Sequence, residues 1–321
     1  MDRVAGAGPR RLLPLGGIFA SLILIGSSTA RLDRTITQAP TYTDSLLAMV
    51  RAAASAVPGD LPIALRYLEF ASFKTPLSGA VGGAGDSIVD GVYTVFQVRY
   101  PRGWVMVDAG VDREVETDTT VTIDQARYNR IQEALRGANL IVVTHEHHDH
   151  IAGVIHTPAR DVIAPKTILT RAQVHTLLRP LKGSAPLGAS PLIQLTARDA
   201  AKYLVIDYEQ LYPIARGIVL LKAPGHTPGS QMVYVRLASG QEVLLVGDIA
   251  WFMVGIERRL QKPQPISREM KEDRTALQNQ LNWLSGLTKR QNIVLANCHD
   301  AAWLRSLVRR GVLKDDLDLG R

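Results

Sequence analysis

Between residues 43 and 57 apolar side chains recur at helical spacing, with Leu46, Leu47, Val50, Ala54 and Val57 on one face, and Pro58, Gly59 and Asp60 stop the run. This predicts a short amphipathic helix ahead of a main domain. From Ile63 the period changes to that of strands. They are expected at 65–71, at 91–100 (GVYTVFQVRY) and, after a turn at Pro101 to Gly103, at 104–108 (WVMVD), which together make a meander. A helix over 122–136, a buried strand at 139–143 and a helix at 170–178 follow. Later strands are expected at 217–222, 231–237, 242–247 and 292–297, with helices at 272–288 and 301–310. Strands in two groups separated by helices predict an α/β sandwich.

Composition narrows the class. The 321 residues are 46% apolar and 21% charged, enough for a sizeable core. The net charge of +7 is spread over pairs such as Arg258 and Arg259, Lys289 and Arg290, and Arg309 and Arg310, without one long basic run, so no nucleic-acid partner is expected. The single cysteine, Cys298, excludes an internal disulfide framework. Residues 1–30 read separately: Arg3, Arg10 and Arg11 precede an apolar stretch from Leu12 to Ile25, followed by Ser27, Ser28, Thr29 and Ala30. That is the build of an export signal, with a cut expected after Ala30 and the globular part in the periplasm or secreted. The alternative is an uncleaved amino-terminal anchor, the one membrane contact expected. The chain thus divides into a signal or anchor at 1–30, a helical extension at 31–61 and a main domain at 62–321.

The chemistry is concentrated after the strand at 139–143. Thr144 leads into His145, Glu146, His147, His148, Asp149 and His150. In an extended segment His145 and His147 project to the same side, and a following turn returns Asp149 and His150 to the same space, which suits adjacent metal ions. Imidazole and carboxylate are the ligands zinc takes without thiolate, and a catalytic site keeps a position open for water. His226 in PGHTPG, Asp248 in VGD and His299 in ANCHD each stand where an expected strand hands over to a loop. Outside this set, His156 and His175 read as surface or packing histidines. Cys298 reads as a small hydrophobe, and Gly225, Pro228 and Gly229 shape the turn that presents His226.

Together, HEHHDH, GHTPG, GD and the late CHD resemble the metal motifs of the metallo-β-lactamase superfamily, over roughly Ile63 to Arg310. The resemblance implies a four-layer αββα sandwich. It implies that His145, His147 and His226 bind one divalent ion, that Asp149, His150 and His299 bind a second, and that Asp248 bridges them. Zinc is the expected metal, with iron, manganese or cobalt as alternatives that the same ligands accept. Asp108, in VDAG, resembles the aspartate that supports the metal loop from behind the ligands. His148 fills the variable position of the motif and is expected to point away from the metals. A water between two cations gives hydroxide near neutral pH, and Asp149 is the candidate to orient it and pass a proton to the leaving group.

An aspartate at position 248 disfavours a true β-lactamase. The order and spacing, with HDAAW closing the site, are most similar to the N-acyl-homoserine lactonases, so a small-molecule ester or lactone is the expected substrate. Organophosphate triesters and the thioesters of glyoxalase II-like enzymes are the alternatives. One departure stands out: that group carries a tyrosine three residues after the bridging aspartate, and this chain has Trp251. Its indole N–H can donate one hydrogen bond to substrate, or the ring can serve as an apolar wall. Trp251 and Phe252, with Met253, Val254 and Ile256, either line a pocket for an acyl chain or belong to the core. A reading from another class is a metal-bound scaffold without turnover.

Overall fold

The computed structural model describes residues 41–181, 185–290 and 292–320. The expected export segment at 1–30 and the first part of the extension lie outside the described residues. Strands β1 (Ala64–Pro76), β2 (Ile88–Arg99) and β3 (Trp104–Val107) form the expected antiparallel meander. β4 (Thr122–Ile123) pairs with β1, and β5 (Leu140–Val142), β6 (Thr167–Thr170) and β7 (Leu204–Ile206) extend the sheet in parallel from β3. β8 (Leu211–Ala215), β9 (Ile218–Lys222), β10 (Gln231–Arg236), β11 (Glu242–Leu245) and β12 (Val294–Ala296) form a second sheet, in the order β12-β11-β10-β9-β8. β13 (Lys314–Asp315) returns to the first sheet beside β1.

Period-two alternation sorts the apolar side chains into layers. Val105, Val107 and Val142 of the first sheet meet Ile218, Leu220, Val233, Val235, Val243 and Leu245 of the second in one continuous core. The intervening residues point the other way. Trp104, Met106 and Ile141 pack under helices Gln125–Gly137 and His148–Ile155. Val219, Leu221, Met232 and Tyr234 pack under helices Asp44–Ala53, Met253–Arg258 and Arg274–Arg290. The result is helix, sheet, sheet, helix: the four-layer αββα sandwich.

The structure redraws several of the sequence-based expectations. The helix expected over 122–136 begins at Gln125, because β-branched Thr122 and Ile123 pair with Ser72 and Ala71 of β1 and Asp124 then caps the helix by accepting from the Arg127 amide. The turn expected after His147 is the first turn of helix His148–Ile155, with His147 at its N-cap position. The apolar run from Phe252 divides: Phe252 packs with Ala80 and Val81 in a small buried cluster, while Met253 and Ile256 enter the core over the second sheet. The helix at 44–53 lies against the second sheet, burying Leu46, Leu47 and Val50. Among the described residues no helix is long and apolar enough to cross a membrane.

Candidate metal centre

Strand ends of both sheets deliver the site. His145 lies just past β5, Asp248 just past β11 and His299 just past β12, while His226 sits in the loop between β9 and β10. β11 and β12 run parallel, so Asp248 and His299 leave the same edge. The loops are locked together. The Glu146 carboxylate accepts from Thr227 Oγ1 at 2.7 Å and from the Gly229 amide at 3.2 Å, tying the HEHHDH loop to the GHTPG loop. Position 229 has to be glycine, since a Cβ there would lie 2.3 Å from Gln173 Cγ and 2.5 Å from Glu146 Oε2.

The candidate residues converge in two groups. Ligand atoms of His145, His147, His226 and Asp248 lie within 4.8 Å of one another, as do those of Asp149, His150 and His299. Asp248 faces both. Its Oδ2 is 3.5 Å from His226 Nε2 and 3.8 Å from His145 Nε2, its Oδ1 is 3.3 Å from His150 Nε2, and His299 Nε2 approaches both oxygens, at 3.0 Å from Oδ1 and 3.1 Å from Oδ2. The Nε2 atoms of His145 and His150 and the Oδ1 of Asp248 are buried without a hydrogen bond. Buried polar atoms are normally paired, so orphaned nitrogens and oxygens that converge fit a cation held among them.

The outward faces of the imidazoles are fixed. Asp108 Oδ2 is 2.8 Å from His150 Nδ1, and its Oδ1 accepts from the Thr144 amide at 2.7 Å. Asp108 itself adopts φ +66°, a conformation asparagine and aspartate tolerate better than most residues. His299 Nδ1 donates to the Val92 carbonyl at 2.8 Å, and His226 Nδ1 to Glu272 Oε1 at 2.7 Å. Each of these bonds leaves Nε2 as the lone pair that faces the centre, the arrangement metal-binding histidines share. His226 Nε2 then faces His147 Nδ1 at 2.9 Å, a separation that needs a proton or a cation between the two nitrogens.

Burial sets the charge states. It holds His145 and His147 well below the usual imidazole range, with His150 and His226 respectively pushing the same way. Burial and then Lys262 lower His226. Neutral imidazoles are the ligand form. Burial pushes the Asp149 and Asp248 carboxyls up, but the surrounding imidazoles outweigh it, and both stay anionic, below the usual carboxylate range. For His150 and His299 burial is outweighed by the aspartates, which raise them. Two buried carboxylates thus demand positive charge here, which divalent ions supply as readily as imidazolium does.

Other predicted residues fall outside the two groups. His148 Nε2 turns to Glu116 Oε2 at 3.0 Å, to which the Tyr93 hydroxyl also donates at 3.0 Å. His156 pairs with Asp112, and His175 is exposed. Cys298 is buried and its thiol is pushed up by desolvation, so it packs as a neutral group. Trp251 Nε1 donates to Asp248 Oδ2 at 2.8 Å, so its one donor is engaged on the carboxylate between the two groups. Sequence reasoning missed Glu272 and Lys262. Lys262 Nζ donates to Glu272 Oε1 at 2.8 Å and to the Asp248 carbonyl at 2.7 Å. Neither belongs to a recognisable spacing.

An αββα sandwich with clustered histidines and aspartates at the strand ends defines a class of metal-site proteins. The family model described as the metallo-beta-lactamase superfamily matches residues 89–255, and the chain belongs to that superfamily. No curated protein sequence matches. Among solved structures, a quorum-quenching N-acyl homoserine lactone lactonase is 16% identical with a TM-score of 0.59, covering 77% of this chain and 97% of its own. A dizinc quorum-quenching lactonase is 14% identical with a TM-score of 0.54, covering 75% and 90%. A probable metal-dependent hydrolase from Staphylococcus aureus is 15% identical with a TM-score of 0.53, covering 76% and 91%. At these identities the likeness concerns the fold.

Proposed function

We propose that the chain is a dinuclear metal-dependent hydrolase acting on an ester or lactone, with acyl-homoserine lactones the favoured substrates and zinc the favoured metal. The observation that carries this reading is Asp248, whose carboxylate stands between the two ligand groups, 3.5 Å from His226 Nε2 of one and 3.0 Å from His299 Nε2 of the other. His145, His147 and His226 would hold one ion, and Asp149, His150 and His299 the other, with Asp248 between them. When bound, such a pair of ions makes a water nucleophilic near neutral pH and polarises the oxygen under attack.

The protein's own groups do the rest. Asp149, buried and kept anionic, accepts the proton of the attacking water and returns it to the leaving oxygen. Phe73, Tyr93 and Trp251 stand around the His299 ring, with centroids at 6.4, 5.6 and 6.0 Å, and give the substrate an apolar, largely water-excluding wall beside the second group. The expected export signal would place this activity outside the cytoplasm, and amino-terminal sequencing of the protein from fractionated cells tests that: an intact Met1 on cytoplasmic material refutes it.

A second reading is favoured by the engaged Trp251 donor. A substrate carbonyl finds no free N–H there, so the contact that would favour a lactone carbonyl over a phosphotriester is missing. The deciding experiment is hydrolysis by the full chain of acyl lactones, aryl esters, thioesters, phosphotriesters and a β-lactam, with and without chelator. Chelator-sensitive turnover led by lactones is expected, and Trp251→Tyr should raise lactone turnover above the other classes. Preference for phosphotriesters or thioesters would replace the substrate assignment. Turnover of nothing on the panel by a protein loaded with two ions would favour the non-catalytic scaffold.

A further inference from the structure

Behind His226 lies an ion pair with no contact to solvent. The side chains of Lys262 and Glu272 are 2% and 0% exposed, and Nζ sits 2.8 Å from Oε1. The same Oε1 accepts the His226 Nδ1 proton at 2.7 Å. Lys262 also donates to the Asp248 main-chain carbonyl at 2.7 Å and lies 5.0 Å from the centre of the Trp251 ring, whose N–H holds Asp248 Oδ2. One buried pair therefore touches the supports of two candidate ligands, His226 and Asp248.

As a stability element the pair is poorly made. A buried ion pair gains little over apolar packing, and Glu272 Oε2 is buried without any hydrogen bond. A carboxylate left half-satisfied in the interior calls for a reason, and the reason on offer is electrostatic. An imidazole that gives up lone-pair density to a cation becomes a stronger Nδ1–H donor, and an anion 2.7 Å away responds directly. The ammonium, in turn, keeps that anion from being an uncompensated buried charge and anchors the Asp248 loop.

We propose that Glu272 is the positioning residue of His226 and that Lys262 balances its charge, so that the pair sets the affinity of the ion held by His145, His147 and His226. This rests on the dinuclear reading above. Full-length wild type, Glu272→Gln, Glu272→Asp and the double variant Lys262→Met/Glu272→Gln, each stripped with chelator and checked by circular dichroism, are titrated calorimetrically with Zn²⁺. Co²⁺ absorption reads the coordination geometry. Wild type taking up two ions supports the dinuclear reading, and wild type taking up none overturns both statements.

With wild type at two ions, Glu272→Gln is expected to bind one of them about 10- to 100-fold more weakly, with an altered Co²⁺ spectrum, and to leave the other unchanged. Adding Lys262→Met should recover part of the loss, because the uncompensated ammonium beside the site is gone. Glu272→Asp keeps the charge but withdraws the oxygen from Nδ1, so it should weaken the same ion and decides the matter should the glutamine variant not fold. Wild-type affinity at both ions in the glutamate variants overturns the proposal. So does a uniform loss at both ions that follows a lowered melting temperature of the stripped protein and is not relieved by Lys262→Met.

Discussion

At the scale of single residues the site turns on a division of labour between faces of the same side chain. His226 and His299 each spend Nδ1 on a fixed acceptor, Glu272 and the Val92 carbonyl, and so present Nε2 in one tautomer. Asp248 stands between the two groups of histidines, with His226 facing Oδ2 and His299 facing both oxygens. Replacing it by alanine removes the shared anion from the middle of the site, so Asp248→Ala should lose turnover to background and retain at most one ion, as read by metal analysis after dialysis. His147→Ala should behave likewise. His175→Ala, at an exposed position, should change neither. The residues that converge were legible because four of them sit in the imidazole- and carboxylate-rich run HEHHDH, and His226, Asp248 and His299 each follow a clear strand. Glu272 and Lys262 were not, since an acid in the charged run Lys271 to Arg274 and a single lysine in a loop look like any solvated charges until the fold buries them.

At the scale of elements, the helix His148–Ile155 carries Asp149 and His150 in its first turn, and its placement is a matter of backbone packing. The Ala109 amide donates to the His150 carbonyl and the Gly153 amide to the Gly110 carbonyl, both at 2.8 Å, so the helix lies directly on the loop that also holds Asp108. A Cβ at position 153 would stand 2.1 Å from the Ala109 oxygen and 2.9 Å from Gln132 Nε2. On an exposed helix Gly→Ala would stabilise by up to about 1 kcal/mol. Here the contact reverses the sign. Gly153→Ala should cost about 1–3 kcal/mol in denaturant unfolding of the metal-free protein and also weaken ion uptake, because it lifts Asp149 and His150 away from the other ligands. A stabilised variant with normal metal content would contradict this. This helix escaped the sequence reading because its first turn is polar and it spans only two turns. Strands β6, β7 and β8 escaped because each is short and β7 lies at a sheet edge with Leu204 and Val205 exposed, so none shows clean alternation.

At the scale of the whole molecule, the ligand candidates are split between the sheets: the HEHHDH residues follow β5 of the first, and His226, Asp248 and His299 belong to loops of the second. The packing between the sheets therefore fixes the distance between the two halves of the site, and whatever braces the second sheet from outside acts on the site as well. The helix Asp44–Ala53 is such a brace. Its amphipathic spacing was legible, but its partner was not, because an apolar stripe does not say which sheet it covers. It is fastened by Arg51, whose Nε and Nη2 donate to Glu242 Oε1 and Oε2 at 2.9 and 2.6 Å, while Tyr234 donates to Oε1 at 2.6 Å. Burial pushes the Glu242 carboxyl up, but Arg51 and Tyr234 outweigh it and hold it below the usual range. A carboxyl lowered by folding contributes stability that is present above its unfolded value of about 4.3 and is lost as pH falls through the folded value. Arg51 is about a third exposed, so solvent screening limits the pair to roughly 1 kcal/mol. Arg51→Met, which keeps much of the aliphatic stem, should accordingly melt about 2 °C below wild type near neutral pH when both are stripped of metal. The gap should close progressively in acid as Glu242 takes up its proton. A gap that stays constant across that range would assign the contribution of Arg51 to packing of its stem, and a gap that widens in acid would contradict the lowered carboxyl.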